Sequence, residues 1–321
     1  MLLDILCILA GFVLLLKGGD WLVDGSVSIA RKARLSSMVI GLTVVGFGTS
    51  APELFVSLQA ALAGSPGICL GNVVGSNIAN IALILGVTSL ILPCASKAHT
   101  LRVDVPMMVL ACLLLAAVGL TGTIGRVAGA VGIAMLVCFV ASEVRRSRKL
   151  IKNDDSIAQN DQKTMRLWQA ILLVLVSFGL LVLGSNLLVS GASGIAREIG
   201  TMAGADPREL ERVIGLSVVA VGTSLPELFA SVVAARKGEQ EMAIGNIVGS
   251  VTFNVFFCIG IPALICPIHD SDKGFLFDYA LMGGLSLLLW LFMFTRRTLE
   301  RWEGAVLFAI YIAYIVRTVV A

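Results

Sequence analysis

The sequence predicts an all-α polytopic membrane protein whose ten transmembrane helices form two inverted five-helix repeats. Three observations lead there. Of the 321 residues, 57% are hydrophobic and only 14% charged, with a mean hydropathy of +0.95; a water-soluble domain needs more polar surface to cover its core. Apolar runs of about 20 residues, enough to cross a bilayer as helix, recur along the whole chain. Residues 41–93 return without a gap at 215–267.

The apolar runs place candidate spans at 2–24, 38–62, 69–92, 104–121, 124–142, 168–190, 212–235, 242–265, 275–294 and 303–319. The first opens Met1-Leu2-Leu3-Asp4, with no basic stretch before it and no small-residue cleavage site after it. It is therefore expected to remain as a helix, not to be removed as a signal peptide. The long polar stretch 143–167 carries Arg145, Arg146, Arg148, Lys149, Lys152, Lys163 and Arg166 and divides the spans into five and five. The domain plan is a first repeat at 1–142, a basic linker at 143–167 and a second repeat at 168–321. That linker is too short to hold a folded regulatory domain.

Orientation follows from the basic residues. Arg31, Lys32 and Arg34, then Lys97 and Arg102, the linker, Arg236 and Lys237, and Arg296, Arg297 and Arg301 all fall on one side of the predicted topology. That side is the cytoplasmic one, which leaves both termini outside. A net charge of +3 is too small to suggest nucleic acid, and no protein partner is implied. The cysteines Cys7, Cys69, Cys94, Cys112, Cys138, Cys258 and Cys266 are scattered through apolar segments without metal-ligand spacing, so they read as small lipid- or core-facing residues. His99 and His269 stand alone in expected loops and read as surface residues.

The repeat is the central observation. GLTVVGFGTSAPELF from residue 41 matches GLSVVAVGTSLPELF from residue 215, and about half of the aligned positions in the two copies are identical. Upstream, Gly18, Leu22, Val23 and Gly25 resemble Gly184, Leu188, Val189 and Gly191, and the second copy carries an insertion near Asp206-Pro207. Five helices per copy is an odd number, so the second copy enters the membrane from the opposite side. Secondary transporters use this arrangement, with the binding site near the midplane between the repeats. A merely structural bundle would not need an intramembrane acid in each copy.

Those acids are Glu53 and Glu227, each in the middle of its apolar segment with no lysine or arginine in the segment core. A carboxylate at that depth costs about 2.5–3.5 kcal/mol on insertion scales and needs a cavity and a partner. A bound cation is the simplest partner. Thr49 and Ser50 precede Glu53 by four and three residues, which puts hydroxyls and carboxylate on one helical face, and Thr223 and Ser224 stand in the same relation to Glu227. Pro52 and Pro226 have no N–H to give the carbonyls of Gly48 and Gly222, so each helix has a freed carbonyl beside its acid. Gly46 and Ala220 leave room for a backbone oxygen to reach an ion. On the next helix of each copy, Asn72, Ser76 and Asn80 form a polar stripe at i, i+4 and i+8, matched by Asn246, Ser250 and Asn254. Asn72 and Asn246 read equally as packing residues or as supports behind the site, and Asn77 has no polar counterpart, since Val251 stands there. Gly71, Gly75, Gly245 and Gly249 read as packing residues. An all-oxygen ligand set suits a hard cation such as calcium, whereas zinc or copper would favour imidazole or thiolate.

With these residues in view, the paired motifs Gly48-Thr49-Ser50-Ala51-Pro52-Glu53 with Gly71-Asn72-Val73-Val74-Gly75-Ser76-Asn77, and Gly222-Thr223-Ser224-Leu225-Pro226-Glu227 with Gly245-Asn246-Ile247-Val248-Gly249-Ser250, resemble the two alpha-repeats of the sodium/calcium exchanger branch of the calcium/cation antiporter superfamily. The resemblance implies a ten-helix fold in which the first and sixth helices slide past a central core. It implies that Glu53 and Glu227 bind calcium together with backbone at Thr49 and Thr223. Ser50, Ser76, Ser224 and Ser250 would complete flanking sodium sites, Gly46 and Ala220 would offer carbonyls, and Asn80 and Asn254 would sit at the centre. Some exchangers have an acid at the position of Asn254, so this chain has one titratable group fewer there.

The implied activity is exchange of calcium for sodium across a prokaryotic cytoplasmic membrane, with the two ions as transported substrates and no cofactor. A calcium/proton antiporter, or another monovalent/divalent exchanger on the same fold, is the nearest alternative. An intramembrane enzyme using Glu53 and Glu227 as acid and base lacks a nucleophile, metal cluster or phosphate loop beside them. A passive channel would gain nothing from inverted repeats, and no filter loop is visible.

Overall fold

The computed structural model describes residues 1–152, 165–202, 220–269 and 275–320. Almost all of this is helix: α1 (Leu2–Ala33), α2 (Ser37–Thr49), α3 (Ala51–Leu62), α4 (Pro66–Ile91), α5 (Thr100–Gly119), α6 (Arg126–Lys152), α7 (Leu167–Met202), α8 (Ala220–Thr223), α9 (Leu225–Arg236), α10 (Gln240–Ile265), α11 (Leu276–Arg296) and α12 (Arg301–Val320). Seven of them are long and apolar enough to cross a membrane, or eight if α2 and α3, bent by 45° at their junction, count as one span. The first and sixth predicted spans are longer than expected, and α6 continues as helix to Lys152 within the predicted linker. The first five residues of the second motif, 215–219, and the insertion near Asp206-Pro207 lie outside the described residues.

Local chemistry sets the breaks. α1 stops where Arg34 adopts a left-handed conformation, φ 54°, and Ser36 then opens α2 by accepting a hydrogen bond from the Val39 N–H. α3 and α9 end at Gly64 and Gly238, with φ of +69° and +83°. The two glycines occupy the same place in the two copies and supply the positive φ that a helix C-terminus uses. A π-helical turn interrupts α2 at Gly41–Val45, α4 at Ala79–Ile84, α5 at Thr100–Asp104 and α10 at Asn254–Cys258.

The loops collect at two ends. At one, the strands β1 (Cys94–Ala95) and β4 (Thr298–Leu299) pair, the Ser36 N–H bonds Ser147 Oγ at 2.8 Å, Ser37 Oγ donates to Glu239, and Lys97 pairs with Glu241 at 2.8 Å. These are the loops that the basic residues group on one side. At the other end β2 (Thr123–Ile124) pairs with β3 (Ile268–His269), and the Met1 amino group meets Asp4 and Glu198.

Two helix contacts organise the interior. α10 is buried along most of its length and packs on α2, where an added Cβ at Gly245 would lie 2.5 Å from the Met38 carbonyl oxygen and one at Gly249 would strike that of Leu42. Small residues let membrane helices approach this closely. Those two glycines are packing residues, as expected. Among the described residues, an added Cβ at Gly71 meets only the Phe275 ring and one at Gly75 meets nothing within 4 Å. The second contact joins α1 and α7, which run antiparallel. Gly11 and Gly184 face each other at its centre, while Gly18 and Gly25 abut Leu181 and Val174. The outer faces of this pair expose Leu2, Leu6, Leu9, Phe12, Leu172 and Leu175, which suits contact with lipid.

Candidate functional site

The α2–α3 break is where the site is built. Ser50, with φ −84° and ψ 0°, leaves the helix, and Pro52 restarts it in the first turn of α3. Ser224, with φ −93° and ψ 3°, and Pro226 do the same between α8 and α9. Each break therefore sets a carboxylate in a helix's first turn, Glu53 in one and Glu227 in the other. Both glutamates are essentially inaccessible, at 1% and 0% exposure, and among the described residues none of their four carboxylate oxygens has a hydrogen-bond partner. Among the described residues no ion pair reaches either. Glu53 lies near enough to Glu227 for their charges to repel, so the acids of the two copies share one interior. Two buried carboxylates with no cation from the described residues call for a positive ligand.

Residues from opposite copies interleave around them. Thr49 Oγ1 lies 3.4 Å from Asn246 Oδ1 and 3.4 Å from Ser250 Oγ, and Ser250 Oγ is 3.4 Å from the Gly46 carbonyl. Ser50, Ser224, Asn80 and Asn254 are buried, and among the described residues the Oγ atoms of both serines, Asn80 Oδ1 and Asn254 Nδ2 have no partner. Ser76 is buried on the same helix as Asn80. Thr223 is half-buried in α8, and the same short helix begins at Ala220. Oxygens of hydroxyl, amide, carbonyl and carboxylate type thus line one buried region, a donor set that a hard cation takes.

Asn72 and Asn246 turn out to support the breaks. Asn72 Nδ2 donates to the Glu53 carbonyl at 3.0 Å and to Ser57 Oγ at 2.9 Å; Asn246 Nδ2 donates to the Glu227 carbonyl at 3.3 Å and to Ser231 Oγ at 2.9 Å. Ser57 and Ser231 have no place among the residues expected from the sequence, although each follows its glutamate by four residues in both copies. Ser185 is likewise unexpected: its hydroxyl donates to the Gly222 carbonyl, the oxygen that Pro226 leaves free. Cys258, expected to be inert, lies with its Sγ 3.7 Å from the Ser50 carbonyl and 3.5 Å from Asn254 Oδ1. The seven cysteines are otherwise free thiols.

Replacing either asparagine tests this support. Asn72→Leu and Asn246→Leu are each expected to destabilise the protein by about 1–3 kcal/mol, the cost of buried groups left without partners. Thermal unfolding in detergent should show a lower Tm, and cation flux in vesicles should fall with it. An unchanged Tm for both would mean that the amides do not hold the breaks.

A family profile described as sodium/calcium exchanger protein matches residues 3–144 and 169–320. The sodium/calcium exchanger MaX1 of Methanosarcina acetivorans is 30% identical, over 98% of this chain and 97% of its own length. The inner membrane protein YrbG of Escherichia coli is 30% identical, over 92% of this chain and 90% of its own. A solved structure of the sodium-calcium exchanger NCX_Mj superposes with a TM-score of 0.82 at 30% identity, covering 98% of both chains.

Proposed function

The chain belongs to the sodium/calcium exchanger protein family, and on that premise we propose that this integral membrane cation antiporter exchanges calcium for sodium at the site formed by Glu53 and Glu227. The observation that carries the proposal is the pair of buried carboxylates without a counter-charge among the described residues, surrounded by oxygen donors from both copies. Two carboxylates neutralise one calcium ion, which accepts six to eight oxygens in flexible geometry. Sodium ions would use the same carboxylates with the hydroxyls of Ser50, Ser76, Ser224 and Ser250 and the carbonyls of Gly46 and Ala220. Asn80 and Asn254 contribute amide oxygens without a third negative charge.

In this proposal the helices make ten spans, five in each inverted repeat: α2 with α3 form the second, and α8 with α9 the seventh. The end carrying the basic loops faces the cytoplasm of a prokaryotic cell. Alternating access follows from the symmetry, since two copies of opposite orientation can each open the site to one side. The contact of α1 with α7 is the surface along which such a change would be passed to the core.

The test is flux in reconstituted vesicles loaded with calcium. A sodium gradient at fixed pH should drive calcium efflux, and a proton gradient without sodium should not. Efflux that answers only to the proton gradient would replace sodium by protons in this account and leave the shared carboxylates in place.

A further inference from the structure

Outside the site of Glu53 and Glu227, a buried cluster of titratable side chains lies where the start of α5 meets the end of α6. His99, expected at the surface, is only 23% exposed; its Nε2 stands 2.9 Å from Glu143 Oε1 and 3.9 Å from Asp104 Oδ1. The three candidate ligand atoms lie within 4.8 Å of one another. Glu143 and Asp104 are 3% and 1% exposed, and among the described residues neither oxygen of Asp104 has a hydrogen-bond partner.

Backbone geometry brings the group together. In an α-helix, residues five apart point about 140° away from each other. The π turn at Thr100–Asp104 holds an extra residue, which returns Asp104 toward the face of His99. The charges are unbalanced. Arg146 Nε approaches Glu143 Oε2 at 3.4 Å and is 38% exposed, so among the described residues one arginine at the rim faces two buried carboxylates. The second copy of the repeat provides an internal comparison. Asp278 takes the place of Asp104 there and lies beside Arg317 and the Tyr314 hydroxyl. Both aspartates have an arginine within reach, but Asp104 also has a second acid and an imidazole beside it.

We propose that His99, Asp104 and Glu143 bind a single divalent transition-metal ion of the zinc class, at a site separate from the transport pathway. One imidazole nitrogen and two carboxylate oxygens are three of the four donors zinc takes, and water reaching the partly exposed histidine supplies the fourth. Donors on a tetrahedral zinc ion stand about 3.3–3.6 Å apart, and the separations of 2.9 and 3.9 Å bracket that spacing. Calcium is a poorer fit, because it needs six or more oxygens. The ion would clamp the start of α5 to the end of α6. One turn beyond Glu143, Ser147 holds the loop into which α1 runs, so the clamp bears on the α1 side of the bundle.

The experiment uses tag-free, full-length protein with Glu53→Gln and Glu227→Gln, which takes the transport site out of the measurement. Titration with Co²⁺ should reach saturation at one equivalent, with visible bands that Zn²⁺ displaces. Adding His99→Gln or Asp104→Asn should abolish that saturable binding. The chain has two histidines, and His269→Gln should leave the binding unchanged. If the ligand variants fail to fold, X-ray absorption of the Zn²⁺-loaded parent should still show one nitrogen ligand among oxygens. Absence of saturable Co²⁺ binding, a spectrum without the nitrogen, or binding that survives both His99→Gln and Asp104→Asn in folded protein would overturn the site and leave a structural His–Glu–Arg network.

Discussion

Glu53→Gln and Glu227→Gln, made separately, are each expected to reduce sodium-driven calcium flux to the level of empty vesicles. With the other carboxylate alone, the buried site offers one negative charge to a divalent cation. Breaking a buried charge pairing costs about 3–5 kcal/mol, and each 1.4 kcal/mol is tenfold in affinity, so the loss should be at least about 100-fold. The carboxamide is close to isosteric, and it removes a charge that the interior solvates poorly. The variants should therefore fold with an unchanged or higher Tm in detergent, which separates loss of the ligand from loss of the protein. Normal exchange by either single variant would show that the two copies do not share one ion.

Gly184→Leu is the second change with a large expected effect. A Cβ at Gly184 would come within 2.9 Å of the Gly11 carbonyl and 3.0 Å of the Leu15 N–H nitrogen, while one at Gly11 would lie 2.6 Å from the Gly184 carbonyl. These neighbours are backbone and cannot turn aside, so α1 and α7 must separate. Overpacking of this kind costs about 1–3 kcal/mol or more. Flux should fall at least tenfold in protein that still elutes as a folded species. Gly284→Ala is the control: an added Cβ there meets nothing within 4 Å, so flux should be unchanged. Wild-type flux in folded Gly184→Leu would mean that transport does not need α1 and α7 in close contact.

The repeat makes the core of the molecule legible in the sequence. An acid flanked by Thr, Ser and Pro in each copy is costly to keep in a membrane, and its duplication points to the helix breaks at Ser50 and Ser224 and to the buried acids beyond them. The basic loops likewise tell which segments meet at one end. Less legible are the supports. Ser57, Ser231 and Ser185 are ordinary small residues in apolar helices, and only the fold shows that they receive Asn72 and Asn246 or cap the Gly222 carbonyl. His99 is hard to place for a similar reason. Its partner Glu143 is 44 positions away, and neither residue has a local pattern that announces the other. The helices α1 and α7 outrun their apolar segments because Asp20, Asp24, Arg31 and Arg197 interrupt the apolar runs without ending the helices.

Two of the π turns repeat with the sequence. Ala79–Ile84 and Asn254–Cys258 fall on the same aligned positions of the two copies and carry Asn80 and Asn254. A π turn holds one residue more than an α turn, and such turns are frequent at functional sites. Each copy therefore departs from regular helix at the asparagine that it brings to the shared interior, and the departure repeats with the sequence.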